Sequence, residues 1–151
     1  MRRLLASWFG TGLMLRRLRG GDTGSGTLGS AAALLLALAL RPAGWVVQLV
    51  VALAVLVASV WSTDRFTHDQ GDPGWVVIDE AAGTLVATIG LAPLPALAAW
   101  AVFRAADIAK RWFPGVMAAE RLPGGWGVTA DDVVAGMWGL AAGWGMQALT
   151  G

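Results

Sequence analysis

Four nearly charge-free stretches alternate with short polar segments along the chain. They cover residues 23–40, 42–63, 81–103 and 133–151. An apolar helix needs roughly 20 residues to cross a bilayer, and these stretches approach or reach that length. The pattern therefore predicts an all-α protein, built as a polytopic membrane helical bundle.

The first two long stretches indicate a transmembrane hairpin. Helices are predicted over residues 27–40 and 45–61, and the intervening Pro42 and Gly44 suit a tight turn. The chain then returns to the side of the membrane on which it began. Residues 62–74 are predicted to form a polar loop there.

The stretch from Ala81 to Phe103 contains Pro93 and Pro95 at its centre. As a single spanning helix it would place its two polar ends on opposite sides of the membrane. A turn at residues 91–95 would instead return both ends to one face, on arms of roughly 18 Å that are too short to cross. We favour this short helical hairpin, broken near Pro93 and Pro95, because it lets the charges at its ends meet.

The last apolar stretch predicts a helix over residues 133–149, preceded by a loop at 113–126 that contains proline and glycine. Thr129 or Asp131 could cap the start of that helix. A cap needs one carboxylate, whereas two stand here, and capping does not exclude metal binding.

Composition supports a membrane location. Hydrophobic residues make up 56% of the 151 residues and charged residues 14%, and the mean hydropathy is +0.62. By length we expect one domain over residues 1–151. The absence of cysteine excludes disulfides, thiolate nucleophiles and zinc–thiolate sites.

Residues 1–19 carry five arginines interspersed with leucine and tryptophan. They indicate a basic amphipathic segment lying on the membrane surface, or a basic flank that only sets orientation. In either case the N-terminus is expected in the cytoplasm. The apolar patch after Arg3 breaks at residues 10–12, which disfavours a cleaved signal peptide.

A glycine-rich segment, residues 20–30, precedes the first apolar helix. Gly24, Gly26 and Gly29 formally make a GxGxxG pattern, but no strand precedes it, so a dinucleotide site is not indicated. Exposed backbone N–H groups at a helix start favour an anion. A flexible linker is the alternative.

Acidic residues stand at the boundaries of the apolar stretches in three groups. These are Asp79 with Glu80, then Asp107, then Asp131 with Asp132. Adjacent carboxylates at such a boundary are costly unless something binds them. Oxygen-only ligands suit Mg²⁺.

Two basic residues accompany these carboxylates. Arg104 shares one predicted helical face with Asp107 and with either Arg111 or Lys110. Arginine and lysine at such a position can bind a phosphate. Surface salt bridges are the alternative explanation. The polar loop contributes Asp64, Asp69 and the only histidine, His68, to which the sequence assigns no role.

Four motifs in order resemble the phosphatidylglycerophosphatase A family over residues 9–143. They are Gly26-Thr-Leu-Gly-Ser30, Asp72-x6-Asp79-Glu-x-x-Gly83, Phe103-Arg-x-x-Asp107-x-x-Lys110 and Gly124-Gly-x-Gly-x-x-x-Asp131-Asp-x-x-Ala-Gly136. Two departures lie near the expected phosphate. Ser25 stands where the family usually has proline, and Lys110-Arg-Trp-Phe-Pro114 replaces Lys-Pro-Trp-Pro.

The resemblance implies a Mg²⁺-dependent phosphatase of the bacterial inner membrane that converts phosphatidylglycerophosphate to phosphatidylglycerol. The active site would face the cytoplasm, and the partner would be a membrane lipid, not nucleic acid. Carried over, the metal ligands or catalytic carboxylates would be Asp79, Glu80, Asp107, Asp131 and Asp132. The phosphate would be held by Gly26, Thr27, Gly29, Ser30, Arg104 and Lys110.

Two rival functions remain. The enzyme could act on another lipid phosphomonoester. Alternatively, the chain could be a non-enzymatic membrane binder or small transporter, in which the same charges form salt-bridged gates. Internal repeats would favour a transporter, and the sequence shows none.

Overall fold

The computed structural model describes residues 1–70 and 73–150, in which helices and turns account for the regular structure and no strand occurs. The helices are α1 (Arg2–Ala6), α2 (Thr11–Arg19), α3 (Ser25–Leu40), α4 (Trp45–Gln70), α5 (Ile78–Ala87), α6 (Pro93–Ile108), α7 (Val116–Ala119) and α8 (Gly125–Thr150). Short 3-10 turns occupy Arg41–Ala43 and Lys110–Trp112. The predicted all-α class is confirmed.

Helix α5 is the centre of the bundle. Most of its residues are buried, and several are small, including Ala81, Ala82 and Gly83. It packs against α3, α4 and α8, whereas α3 and α4 scarcely touch each other. The first hairpin is therefore splayed, and α5 lies between its two helices.

Two segments are long and apolar enough to cross a membrane, Ser25–Ala43 and Trp45–Phe66. They correspond to α3 and α4 and agree with the predicted hairpin. The turn between them ends at Gly44, whose φ of +90° is a conformation that glycine adopts without steric cost.

The predicted polar loop at residues 62–74 is wrong over most of its length, because α4 continues to Gln70. No proline or glycine interrupts the chain before Gly71. Thr63 also turns its hydroxyl back to the Ser59 carbonyl oxygen, 2.8 Å away, so that this polar side chain is satisfied within the helix. Asp72 lies outside the described residues, as do the side chains of His68 and Asp69.

The hairpin expected around Pro93 and Pro95 is present, and α5 and α6 are its arms. The turn lies slightly earlier than predicted, at residues 88–92. Pro93 begins α6, a position at which proline's missing N–H and fixed φ are favourable. As expected, the turn brings the charged ends of α5 and α6 to the same end of the bundle.

Helix α8 begins at Gly125, earlier than the predicted residue 133. Thr129 and Asp131 therefore lie inside the helix, and the prediction that either caps it is wrong. The backbone N–H of Gly125 donates instead to Asp64 Oδ1 at 3.2 Å. A carboxylate from α4 thus satisfies a donor in the first turn of α8.

The N-terminal residues pack onto the bundle. Ala6, Ser7 and Trp8 are buried, and the Val77 N–H donates to the Ala6 carbonyl oxygen at 2.9 Å. The Arg2 guanidinium lies 4.4 Å from the centre of the Trp61 ring. This segment fixes the chain immediately before α5.

Two glutamine side chains hold the turn between α5 and α6. Gln48 on α4 accepts from the Gly90 N–H at 2.8 Å and donates to the Ala37 carbonyl oxygen at 3.1 Å. Gln147 on α8 accepts from the Ala92 N–H at 2.7 Å. Backbone groups outside regular helices need hydrogen-bond partners where protein covers them, and these amides supply them.

Replacement of Gln48 by methionine is expected to destabilise the bundle. The change keeps the size of the side chain but removes both hydrogen bonds, at a cost of about 1–3 kcal/mol for each buried group left without a partner. Thermal unfolding in detergent should show a lowered Tm. The control is Leu53→Met, at an exposed position on the same helix, which should leave Tm nearly unchanged. Equal decreases of Tm in the two variants would contradict a stabilising role for the Gln48 hydrogen bonds.

Candidate active site

Three carboxylates from two helices converge at one end of the bundle. Asp79 and Glu80 stand in the first turn of α5, and Asp132 lies on α8. One carboxylate oxygen from each lies within 4.8 Å of the others. The sequence predicted all three, and the structure brings them together.

Glycine contacts explain why α5 and α8 can approach so closely. A Cβ on Gly136 would lie 2.5 Å from the Gly83 carbonyl oxygen, and a Cβ on Gly83 would lie 2.6 Å from the Asp132 carbonyl oxygen. Both distances are shorter than real Cβ contacts, so neither position accepts a side chain without movement of backbone. Gly83 lies one helical turn after Asp79 and Glu80, and Gly136 lies one turn after Asp132. The glycine contact is therefore next to the carboxylates.

The cluster is electrostatically costly. Burial, together with the nearby negative charge of Asp107, raises the pKa of Glu80 to about 7. Within the described residues, Glu80 Oε2 and Asp132 Oδ1 are buried and accept no hydrogen bond. An arrangement of buried oxygens with unused lone pairs fits a hard divalent cation, which would offset the repulsion between the carboxylates.

Arg104 on α6 lies at the edge of this cluster. Its Nη1 donates to Asp107 Oδ2 at 2.6 Å, and its Nη2 reaches Thr27 Oγ1 at 3.5 Å. The Arg104 Nε is buried and has no hydrogen-bond partner among the described residues. The guanidinium is thus oriented by Asp107 and keeps a donor available.

The first turn of α3 faces Arg104 and Glu80. A Cβ on Gly26 would contact Glu80 Oε1 and would lie 3.3 Å from Arg104 Nη2. Gly26 and Thr27 belong to the turn whose N–H groups lack acceptors within the helix. An anion between α3 and Arg104 would therefore meet backbone donors on one side and the guanidinium on the other.

Gly29 and Ser30, which the resemblance places at the phosphate, contact neighbouring helices in the structure. A Cβ on Gly29 would lie 2.8 Å from the Val77 side chain. The buried Ser30 hydroxyl donates to the Thr27 carbonyl oxygen at 3.0 Å and accepts from Trp100 Nε1 at 3.1 Å. Ser30 therefore supports the first turn of α3 and ties it to α6.

Lys110 is held by two carboxylates. Its Nζ lies 2.6 Å from Asp131 Oδ2 and 2.8 Å from Glu120 Oε1. Burial alone would lower the pKa of Lys110, but its hydrogen bonds to Asp131 and Glu120 raise that pKa above the usual range. Glu120 is half-exposed and follows α7; no motif in the sequence distinguished it.

The five predicted carboxylates thus fall into two groups, a cluster of three and two that bind cationic side chains. Asp79, Glu80 and Asp132 form the three-oxygen cluster, whereas Asp107 binds Arg104 and Asp131 binds Lys110. Asp107 remains close enough for its charge to act on Glu80 and Asp132. The buried hydrogen bond between Ser59 and Thr129, at 2.8 Å, fixes α8 against α4 beside this site.

Comparison with known families matches the phosphatidylglycerophosphatase A model to residues 4–147 of the chain. The chain belongs to the phosphatidylglycerophosphatase A family. This assignment confirms the resemblance and extends it beyond residues 9–143 at both ends. The carboxylate cluster and the arginine beside it lie within the matched range.

One curated relative of this family member is a protein from Bacteroides thetaiotaomicron, named as a phosphatidylinositol-3-phosphatase. The two sequences are 36% identical in an alignment 95 residues long that covers 58% of each chain. The matched region thus spans less than two thirds of that relative. No solved structure matches the chain with statistical significance.

Gly136→Ala is expected to separate α5 from α8 and to disperse the carboxylates. Thermal unfolding with and without added Mg²⁺ measures this, because a ligand that binds the folded state raises Tm. Wild type should be stabilised by Mg²⁺, and Gly136→Ala should have a lower Tm and lose that response.

Gly145→Ala on the same helix is the matched control. Nothing lies within 4 Å of a Cβ at that position, and alanine favours a helix over glycine by about 1 kcal/mol. This variant should therefore have an equal or higher Tm and should keep its response to Mg²⁺. Unchanged Mg²⁺ stabilisation in Gly136→Ala would contradict the role of the glycine contact.

Proposed function

We propose that the chain is a single integral membrane domain with Mg²⁺-dependent lipid phosphatase activity. It hydrolyses phosphatidylglycerophosphate to phosphatidylglycerol and inorganic phosphate. Family membership supports this reaction. The observation that carries it is the position of the three-carboxylate cluster directly beside Arg104 and the first turn of α3.

Asp79, Glu80 and Asp132 would hold Mg²⁺. When bound, Mg²⁺ would supply positive charge that polarises the substrate phosphate. Arg104 would bind two phosphate oxygens and is oriented for this by Asp107. The N–H groups of Gly26 and Thr27 would bind from the opposite side.

The position of Glu80 explains why a phosphate needs a cation here. Gly26 lies against Glu80 Oε1, so a phosphate at the first turn of α3 would stand beside a carboxylate. Two like charges at such short range repel each other strongly in a partly buried site. The charge of Arg104 is already shared with Asp107, so additional positive charge is required.

Hydrolysis breaks the bond between the terminal phosphorus and the lipid oxygen. The attacking water loses a proton, and the lipid oxygen gains one. The carboxylates around the site can accept and return that proton. Asp107 and Asp131 would contribute by orienting Arg104 and Lys110 against the charge of the reacting phosphate.

In the proposed topology the carboxylate cluster faces the cytoplasm of a bacterium, at the inner membrane. The arginine-rich N-terminus packs near this end of the bundle, and arginine is enriched on cytoplasmic sides. The turn at Arg41–Ala43 would then face the opposite side of the membrane.

Phosphate release from phosphatidylglycerophosphate in detergent micelles tests the reaction. Wild type should release phosphate with Mg²⁺ and stop with EDTA. Asp79→Asn should lower kcat by at least about 100-fold, since loss of one electrostatic group at a reacting centre costs that much. A folded wild type that releases no phosphate, or an equally active Asp79→Asn, would refute the proposal.

A phosphate-binding role for Lys110 can be tested separately, because its two carboxylate partners differ in burial. Asp131→Asn removes the buried anchor, so Lys110 is misplaced and kcat/KM should fall at least about tenfold. Glu120→Gln removes the half-exposed partner and leaves Lys110 freer to meet phosphate, so activity should be kept or rise. Equal losses in both variants would contradict a phosphate-binding role for Lys110.

The name of the Bacteroides relative favours one second candidate, a phosphatase that acts on phosphatidylinositol-3-phosphate. The same cluster could serve any lipid phosphomonoester. Comparison of kcat/KM on the two lipids, in the same micelles, decides between them. A higher kcat/KM on phosphatidylglycerophosphate would support that lipid as the substrate. A higher kcat/KM on phosphatidylinositol-3-phosphate would support the inositol lipid instead.

A further inference from the structure

A cavity of about 520 Å³ lies at the end of the bundle opposite the carboxylate cluster. It is formed where the turn after α3, the turn after α5 and the distal part of α8 meet. Its lining residues are Arg41, Trp45, Gln48, Ile89, Gly90 and Trp144. The volume is typical of small-ligand sites.

Most polar groups around this cavity are already used. The Gln48 amide binds Gly90 and Ala37, and Trp144 Nε1 donates to the Ile89 carbonyl oxygen at 3.2 Å. Among the hydrogen bonds and ion pairs of the described residues, none involves the Arg41 guanidinium or the Trp45 indole N–H. Both of these remaining groups are donors.

The unused donors define the chemistry of the ligand. They require acceptor oxygens, and Arg41 favours an anion. None of the six lining residues is acidic, so no carboxylate neutralises Arg41 or repels a headgroup with net negative charge. We propose that this cavity binds the headgroup of an anionic phospholipid, with its phosphate on Arg41 and Trp45.

The tryptophans place the cavity at headgroup level. Trp45 and Trp144 line this cavity, whereas Trp61 and Trp126 line a second one near the N-terminus, and all four are exposed. The paired positions are 16 residues apart on α4 and 18 apart on α8, or about 24 and 27 Å along each helix. That separation is close to the roughly 30 Å hydrocarbon core whose two boundaries tryptophan favours.

The occupant would come from the leaflet opposite the carboxylate cluster. Ile89 and Gly90 belong to the turn that joins α5 to α6, so a bound lipid would contact the connection between the arms that carry Glu80 and Arg104. Lipid binding here is therefore expected to stabilise the bundle. The site does not depend on the phosphatase proposal, since none of its residues belongs to the carboxylate cluster.

Native mass spectrometry of the purified chain in detergent, titrated with phosphatidylserine or phosphatidylcholine of the same acyl chains, tests the site. Neither lipid is a phosphomonoester. Wild type should bind phosphatidylserine more tightly than phosphatidylcholine. Arg41→Gln should weaken phosphatidylserine binding about tenfold, as for loss of a charge-assisted hydrogen bond, and Arg41→Lys should restore part of it.

Two control variants locate the effect. Arg121→Gln removes another exposed arginine and should leave binding unchanged. Arg2→Gln alters the second cavity, which also contains Asp64, and should likewise have no effect. Equal binding of the two lipids, wild-type binding by folded Arg41→Gln, or loss of binding in Arg2→Gln but not in Arg41→Gln would each overturn the proposal.

Discussion

The close contact between Gly83 on α5 and Gly136 on α8 is the constraint on which the site depends. Neither position has room for a side chain. Because the helices approach there, Asp79, Glu80 and Asp132 come within reach of one another one turn away. The small residues therefore have a direct chemical consequence, because they set the separation of the three carboxylates.

A second set of contacts keeps those charges at the correct end of the bundle. The α5–α6 hairpin is short, and its turn contains backbone groups that no helix satisfies. Gln48 and Gln147 satisfy them from α4 and α8. With the turn held in place, α6 returns Arg104 to the level of Glu80, where the first turn of α3 completes the arrangement.

Much of this architecture could be predicted from the sequence, because charge and proline positions report on it directly. The uncharged run with Pro93 and Pro95 at its centre predicted the α5–α6 hairpin. The acidic residues at the boundaries of the apolar stretches predicted the carboxylate cluster. Helix ends were less predictable. Helix α4 continued through polar residues to Gln70 because no breaker precedes Gly71, and α8 began at Gly125 because its first-turn cap, Asp64, comes from another helix.

The division of roles within the site could not be obtained from spacing alone. Ser30 carries a hydroxyl in a phosphate-like motif, yet Trp100, 70 residues away, engages it. Glu120 lies in a loop with no pattern, yet it binds Lys110. Both assignments depend on contacts between different helices or turns, which only the folded chain brings together.

Divalent-ion binding followed by electron paramagnetic resonance tests the central claim most directly, with Mn²⁺ as a visible substitute for Mg²⁺. Wild type should bind Mn²⁺, and Asp132→Asn should weaken that binding at least about tenfold, or 1.4 kcal/mol. Glu120→Gln, which changes a carboxylate outside the cluster, should bind as wild type does. Unchanged binding in Asp132→Asn would contradict a cation site shared between α5 and α8.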